Sequence, residues 1–427
     1  RQIGVVAAAH KHRWSILITA QVALTLLLMA TAGTAIRGFL LLTQMPLGYD
    51  PANVLKVGMV LHVNDPRARD RLQSRAARTA YIEQIRQMIA SVSGVSTVAV
   101  GIDATPPNIG AYTGPEISFN FDGAGDGGQT QARVTLVGPR YFAALRIPLL
   151  QGRIWDADEN ARGDFIAVVN QAFARRYLSS SSAVGRQLRI PGLTPRNRYA
   201  VASAQSTAWR QIVGVVGDAR NDGIDRPVVP AIYVPYTAVM PPFVQFFVRA
   251  QGDPLARLHS IRAAIASVSS DQQISDGVSA FNGTSPLSEA IERDAQYSRQ
   301  RLFSILFGVF STMALMLALA GISSVVAYSV AQRTTEFGIR LALGAPRAHV
   351  LWVAVRIALV SAVAGMVLGL AVDSFLGAVL AHWMQNAFAA ASLFAAAALL
   401  ALSALAACLL PARHAIAVPP AEALRYE

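Results

Sequence analysis

Between Trp14 and Ile36 the chain runs for 23 residues without a charged side chain, and at about 1.5 Å per residue such a helix crosses a ~30 Å hydrocarbon core with some tilt. Three more windows behave alike. Leu302 to Gln332 holds 31 residues free of formal charge, Leu351 to Leu380 is interrupted only by Arg356 and Asp373, and Ala387 to Leu410 is rich in Ala and Leu. Most of the Arg, Asp and Glu lies instead between residues 37 and 300. The totals agree, since 15% of residues are charged against roughly 25% in ordinary soluble domains. The fold class expected is therefore an α-helical four-span membrane domain with a large α+β extracytoplasmic domain inserted between spans one and two.

Orientation follows from the Lys and Arg near the spans, which stay on the cytoplasmic side when they lie in short loops. Arg1, Lys11 and Arg13 precede the first span; Arg333, Arg340 and Arg347 separate the second from the third; Arg413 and Arg425 follow the fourth. The turn from His382 to Asn386 carries no Lys or Arg. Both termini are thus expected in the cytoplasm and the inserted domain outside, in a cytoplasmic (inner) membrane. The boundaries read as 1–13 for a cytoplasmic lead, 14–36 for the first span, 37–285 for the outer domain, and 286–427 for a stalk helix, three spans and a tail. A start at Arg1 rather than methionine suggests a processed or truncated product. Arg356 and Asp373 stand 17 residues apart, about 25 Å of helix, so each is expected near its own headgroup region.

Basic residues number 37, of which only Lys11 and Lys56 are lysines. Neither sits in a Gly-Lys-Ser/Thr sequence, where a lysine ammonium reaches the β/γ-phosphates of a nucleotide. This stretch of chain is not itself a Walker-type ATPase. A net charge of +12 could serve nucleic acid, but the arginines are spread singly through the sequence, without a basic patch. The lone Cys408 allows neither a disulfide framework nor a cysteine-based zinc site, and neither His-Glu-x-x-His nor Gly-x-Ser-x-Gly occurs. No catalytic, metal or cofactor-binding residues are expected.

Strands are expected at Val54–Leu61, Val95–Gly101, Ile117–Phe121, Ala132–Val137, Phe165–Val169, Ile212–Val216 and Val244–Val248, which are enriched in β-branched and aromatic residues. Arg71–Val92 and Leu255–Val268 have helical spacing, with Tyr81, Ile85, Met88, Ile89 and Val92 on one face. Pro106–Gly128 and Pro191–Ser206 read as irregular loops. Asp156, Asp158 and Glu159 read as solvated acids on a turn, and Asp218, Arg220 and Asp222 as a local ion-pair network. Ser285-Pro286 reads as an N-cap followed by a first-turn proline, opening a helix to Gln332 that would be about 70 Å long if unbroken.

The stretch Gln332-Arg-Thr-Thr-Glu-Phe-Gly-Ile-Arg-Leu-Ala-Leu-Gly-Ala-Pro-Arg347 allows two readings. It is a basic interfacial helix lying on lipid headgroups, or a docking helix for a cytoplasmic partner, with Glu336 and Arg340 an i,i+4 pair. The segment resembles the loop between the second and third spans of MacB/FtsX-type ABC-transporter permeases, close to "R..EIGIRRALGA". It keeps Arg333, Glu336, Gly338, Ile339, Arg340, Ala342, Leu343, Gly344 and Ala345, and departs at Phe337 and Leu341. Val137–Arg153, Ile166–Tyr177 and Ile212–Arg220 resemble the family's MacB-like periplasmic core domain, and Pro411–Arg425 its C-terminal signature. Ala20-Gln-Val-Ala-Leu24 with Gly48-Tyr-Asp-Pro51 resembles the second half of the duplicated permeases common in acidobacteria. Ser179–Ser182 stands where the family often has a Trp-Pro-Gly-Glu/Asp turn.

The resemblance implies a permease that dimerises or pairs with a homologous half, sits in membrane lipid, and binds no cofactor itself. ATP and Mg would be used by a separate cytoplasmic ABC ATPase docked on segment 332–350, through Arg333, Glu336, Gly338, Arg340, Gly344 and Arg347. ATP-driven motion would reach the outer domain for efflux, or for mechanotransmission without passage through the bilayer. The alternative is a membrane-anchored extracytoplasmic scaffold that regulates a partner such as a cell-wall hydrolase.

Overall fold

The computed structural model describes residues 2–61, 72–106, 117–122, 130–178, 182–196, 198–224, 226–272, 274–275, 283–292, 295–332, 336, 340, 346–381 and 390–416. The chain divides into two compact units, one of residues 1–43 with 299–427 and one of residues 44–298. Helix α1 (Gln2–Gln44) opens the chain and is helical well beyond the uncharged window at both ends. Hydropathy reports where lipid begins, whereas Lys11, Arg13 and Arg37 are good helix formers and leave the backbone unbroken.

The inserted unit is built on one mixed sheet. In chain order its elements are β1 (Val54–Val60), α2 (Arg75–Ala90), β2 (Val95–Ile102), β3 (Ile117–Ser118), β4 (Asn120–Phe121), β5 (Gln131–Val137), α3 (Tyr141–Leu145), β6 (Leu149–Gly152), α4 (Ala157–Arg162), β7 (Ile166–Asn170) and α5 (Gln171–Tyr177). There follow β8 (Gln187–Arg189), β9 (Val201–Ala202), β10 (Arg210–Val216), β11 (Ala231–Pro235), β12 (Val239–Met240), β13 (Phe243–Ala250), α6 (Leu258–Val268), β14 (Ser285–Pro286) and α7 (Leu287–Glu292). The strands run in the order β14-β1-β13-β2-β5-β11-β7-β10-β8-β4, with β3 beside β5, β6 beside β10, and β9 with β12 as a separate pair.

Strand alternation gives the sheet two different faces. On one, Val57, Val100, Val134, Leu136, Ile232 and Phe246 join Ile82, Ile85 and Ile89 of α2 and Ile261 and Ile265 of α6 in a single apolar core. On the other lie aromatic rings: Phe142 meets Tyr233 edge-on at 5.1 Å and Tyr141 meets Phe247 at 5.4 Å. Asn170 ties the end of β7 to its neighbours. Its side-chain oxygen accepts from the amides of Phe173 and Ala231, and its nitrogen donates to the Val229 carbonyl.

Several expectations change here. The buried face of α2 is Arg78, Thr79, Ile82, Ile85 and Ile89; Tyr81 packs against the core as expected, whereas Met88 is exposed and lies off the stripe. Ile117–Phe121 is two short strands on different partners, β3 on β5 and β4 on β8, with buried Phe119 between them. Ser285-Pro286 is no helix cap: it pairs with Leu55 and Lys56 as β14, and the helix begins at Leu287. The expected unbroken rod passes through residues 293 and 294, which lie outside the described residues. Arg220 pairs with neither flanking acid, since Asp218 binds Arg175 and Asp222 binds Arg133.

The other unit combines α1 with α8 (Ala295–Ala331), α9 (Arg347–Ala381) and α10 (Ala390–Ile416). Four stretches, Ser15–Gln44, Tyr297–Ala331, Val355–Leu376 and Ser392–Leu409, are long and apolar enough to cross a membrane. Arg356 and Asp373 fall near the two ends of the third, and Asp373 is buried. Helix α1 contacts all three others. Thr19 donates to the Ser361 carbonyl, Thr25 to the Ala314 carbonyl, and Gly33 faces Ser392. Ser361, Gly365 and Gly369 recur every four residues along α9, and a Cβ on either glycine would press into Val22 or Leu26 of α1. Small residues at this spacing let two helix backbones approach closely in lipid, where hydrophobic attraction between helices is absent.

Candidate functional site

The segment between α8 and α9 is the candidate docking site. Among its six expected residues the structure brings together Glu336 and Arg340, whose guanidinium Nη2 donates to Glu336 Oε1 at 2.5 Å. Both positions are helical, and the two side chains are 43% and 40% exposed. An exposed i,i+4 pair adds only about 0.3–0.5 kcal/mol to a helix, so it can exchange its internal bond for a partner's at little cost. Arg333, Gly338 and Gly344 lie outside the described residues. Arg347 is the first residue of α9, whose opening turn is closed by the His349 amide on the Pro346 carbonyl at 2.9 Å.

Two joints attach the inserted unit to the chain on either side of it, one just ahead of β1 and one paired with β1. After α1, the backbone of residues 46–50 is clamped by arginines. The Arg220 amide donates to the Leu47 carbonyl at 2.9 Å and its guanidinium to the Pro46 carbonyl at 3.3 Å. Arg249, with a side chain 8% exposed, donates to the carbonyls of Asp50, Ala52 and Ala144 and to the Asp50 carboxylate. Burial lowers the Arg249 guanidinium below its ordinary range, an effect the Asp50 charge opposes, yet a guanidinium remains charged at neutral pH. Gly48 has φ +76, and a Cβ there would overlap the Asp218 carbonyl; the position combines a left-handed backbone with a close approach that only glycine allows. At the other end, β14 pairs with β1 and Thr284 Oγ accepts from the Gly58 amide at 3.3 Å.

Sequence reading named Gly48-Tyr-Asp-Pro51 for its resemblance alone and missed its clamps. Arg220 and Arg249 stand about 170 to 200 residues further along the chain. A Gly followed by Asp-Pro marks a turn, but nothing local indicates what holds it.

The acidic cluster has a structural use. Asp156 caps α4 by accepting from the Glu159 amide, Glu159 reciprocates on the Asp156 amide, and Arg153 grips Glu159 through both guanidinium arms. The Arg153 hydrogen bond holds the Glu159 carboxyl down at about 2, helped by the Asp156 amide. Among the described residues no group of three or more His, Cys, Asp or Glu converges as a metal site.

The MacB-like periplasmic core domain matches residues 22–280, and the FtsX-like permease C-terminal matches 308–420. The Macrolide export ATP-binding/permease protein MacB of Escherichia coli is 26% identical over 317 residues, covering 72% of this chain and 44% of that protein. The Bdellovibrio bacteriovorus protein of the same name is 24% identical over 355 residues, covering 81% of this chain and 50% of its own. The chain thus spans about half the length of these relatives. The periplasmic region of MacB from Actinobacillus actinomycetemcomitans aligns with a TM-score of 0.35 at 12% identity, over 58% of this chain and 96% of that one. The extracellular domain of the ABC-type transporter YknZ aligns at 0.30 and 11%, over 45% and 88%. The two family matches cover most of the inserted sheet unit and most of the last three spans, and by them the chain belongs to the MacB/FtsX-type family of ABC-transporter permeases.

Proposed function

We propose that this chain is the membrane subunit or half-subunit of a transporter in which ATP hydrolysis, on an ATPase outside these 427 residues, drives movement of the extracytoplasmic unit. The observation that carries the reading is the pair of joints at the two ends of the inserted unit, one leading into β1 and one paired with it. Residues 46–50 are held by Arg220, Arg249 and the Leu145 carbonyl, and β14 pairs with β1, so displacement of the chain at either joint is passed into the same sheet unit. The E. coli and B. bacteriovorus relatives are named for ATP-binding and permease parts together. Here the only lysines are Lys11 and Lys56, neither in a phosphate-binding loop. ATP and Mg are assigned in this reading to an ATPase outside these residues.

In this reading the ATPase docks from the cytoplasm on segment 332–350 through Arg333, Glu336, Gly338, Arg340, Gly344 and Arg347. The permease works as a homodimer or with a homologous half, in the inner membrane, with both termini inside. Glu336 separates docking from simple adhesion to lipid, because an acid gains nothing from anionic headgroups. Glu336→Arg and Gly344→Val are expected to weaken recovery of the cognate ATPase with detergent-solubilised permease and to lower its stimulated turnover, with insertion unchanged. Adhesion to lipid predicts stronger membrane attachment for Glu336→Arg, by about 1 kcal/mol per added cation. Undiminished recovery of the ATPase with both variants would exclude the docking role.

A further inference from the structure

From Phe165 to Gly217 the sequence holds seven arginines and neither Asp nor Glu, although the whole chain has 25 acids to 37 basic residues. At that overall frequency about three acids would be expected in so long a stretch, so this part of the inserted unit is electropositive by composition. The fold then holds these arginines in place. Arg176 stacks on the ring of Tyr177 at 5.5 Å and Arg186 on Phe121 at 6.0 Å, while the two rings are 6.5 Å apart. The two guanidiniums therefore share one aromatic platform, whose inner rings are buried Phe119 and Phe173.

Arg189, on the outward face of β8, donates to the Thr207 carbonyl at 3.0 Å. Thr207 lies two residues before Trp209, an indole left 43% exposed. Next to Trp209 in sequence is buried Arg210, whose guanidinium lies over the half-exposed ring of Phe165 at 5.8 Å. Asp218 neutralises Arg175, and Asp122 at the end of β4 brings one carboxylate to this lobe. Among the described residues no carboxylate forms an ion pair with Arg176, Arg186 or Arg189, although Arg186 donates from Nη2 to the Asp122 carbonyl and its Nε is buried.

We infer that this lobe is a docking surface for a protein partner presenting a carboxylate-rich face. Arginine, tryptophan, tyrosine and phenylalanine are the residue types enriched where proteins meet, while lysine is depleted there. A guanidinium fixed on a ring has already lost much of the freedom that binding would cost, and its fork matches a carboxylate with two parallel bonds. A headgroup layer requires only net charge near a surface and makes no use of fixed forks. The inference is independent of the ATPase docking proposed above, because it concerns the inserted unit alone.

The test uses the full chain in phosphatidylcholine nanodiscs, with a fluorescein-labelled decaglutamate peptide followed by anisotropy. The peptide is expected to bind and to weaken as salt rises from about 50 to about 300 mM, as exposed charge pairs do. Arg176→Gln/Arg186→Gln/Arg189→Gln is expected to weaken it about tenfold, the combined effect of two exposed pairs and one half-buried pair. Arg226→Gln/Arg262→Gln, which removes two exposed cations elsewhere, should leave affinity unchanged. The double variant Arg176→Gln/Arg189→Gln keeps the Arg186–Phe121 contact and serves should the triple variant fail to fold; about a fivefold loss is expected of it. Equal peptide affinity in the wild type and the double variant would overturn the inference. So would nanodiscs that co-float with phosphatidylglycerol vesicles while ignoring the peptide, since anionic lipid would then be the occupant.

Discussion

Ser15 and Ser361, 346 residues apart in the chain, share a hydroxyl hydrogen bond of 2.7 Å. It marks one end of a seam along which α1 lies against α9, with Gly365 and Gly369 following at four-residue intervals. The first span is separated from the other three by the whole inserted unit, yet it packs against each of them. The membrane unit is assembled only when both ends of the chain are in place.

Replacing Gly365 with Leu is expected to force the seam apart, because its Cβ would already press on Val22 and the Thr19 carbonyl. Overpacking of this kind costs about 1–3 kcal/mol. Thermal unfolding of the detergent-solubilised protein should show a lower midpoint. Gly308→Leu is the control, since nothing lies within 4 Å of a Cβ placed there, and it should leave the midpoint unchanged.

The joint after α1 gives a second expectation. Arg249→Met removes the donor to three backbone carbonyls and the Asp50 carboxylate, leaving buried acceptors unpaired at about 1–3 kcal/mol for each group that water does not reach. Gly48→Val adds backbone strain and a clash with the Asp218 carbonyl. Both variants should insert and retain the ATPase. They should free residues 46–50 for cleavage in limited proteolysis, where the wild type is protected.

Glu159 supplies a pH dependence. Its folded carboxyl is held at about 2 by Arg153, below an unfolded value of about 4.3. The stabilisation is thus fully present above the unfolded value and is lost as pH falls through the folded one. Glu159→Gln keeps an oxygen for the Asp156 amide but loses the charge paired with Arg153, and should lower stability at pH 7 by up to about 1 kcal/mol, the upper end for a pair near the surface. In denaturant titrations the gap between variant and wild type should narrow progressively below about pH 4.

What the sequence made legible and what it hid divide along a physical line. The spans, and strands such as β2, β5, β7, β10 and β13, are carried by local apolar runs. β11 was missed because Ala231–Pro235 is flanked by Pro230 and ends in Pro235, which argue against a strand, although all five residues are buried in the sheet. Ser285-Pro286 carries the residue types of a helix start, and its pairing with Leu55 and Lys56 depends on a strand 230 residues earlier. Arg220 looked like an ion-pairing residue because acids flank it. Its actual acceptors include the carbonyls of Pro46 and Leu47, which no local pattern reveals. In the docking segment the Glu336–Arg340 pair was readable because it depends only on helical spacing.

Nucleotide turnover beneath the membrane is expected to move the unit above it. Nitroxide labels at Asp253→Cys in the inserted unit and Phe394→Cys at the start of α10, in a Cys408→Ala background, report that movement as a distance. Assembled with the cognate ATPase in nanodiscs, the label pair should give different distance distributions in the nucleotide-free and vanadate-trapped states. Glu336→Arg should abolish the difference. Identical distributions in the wild type, with ATP turnover intact, would contradict the account.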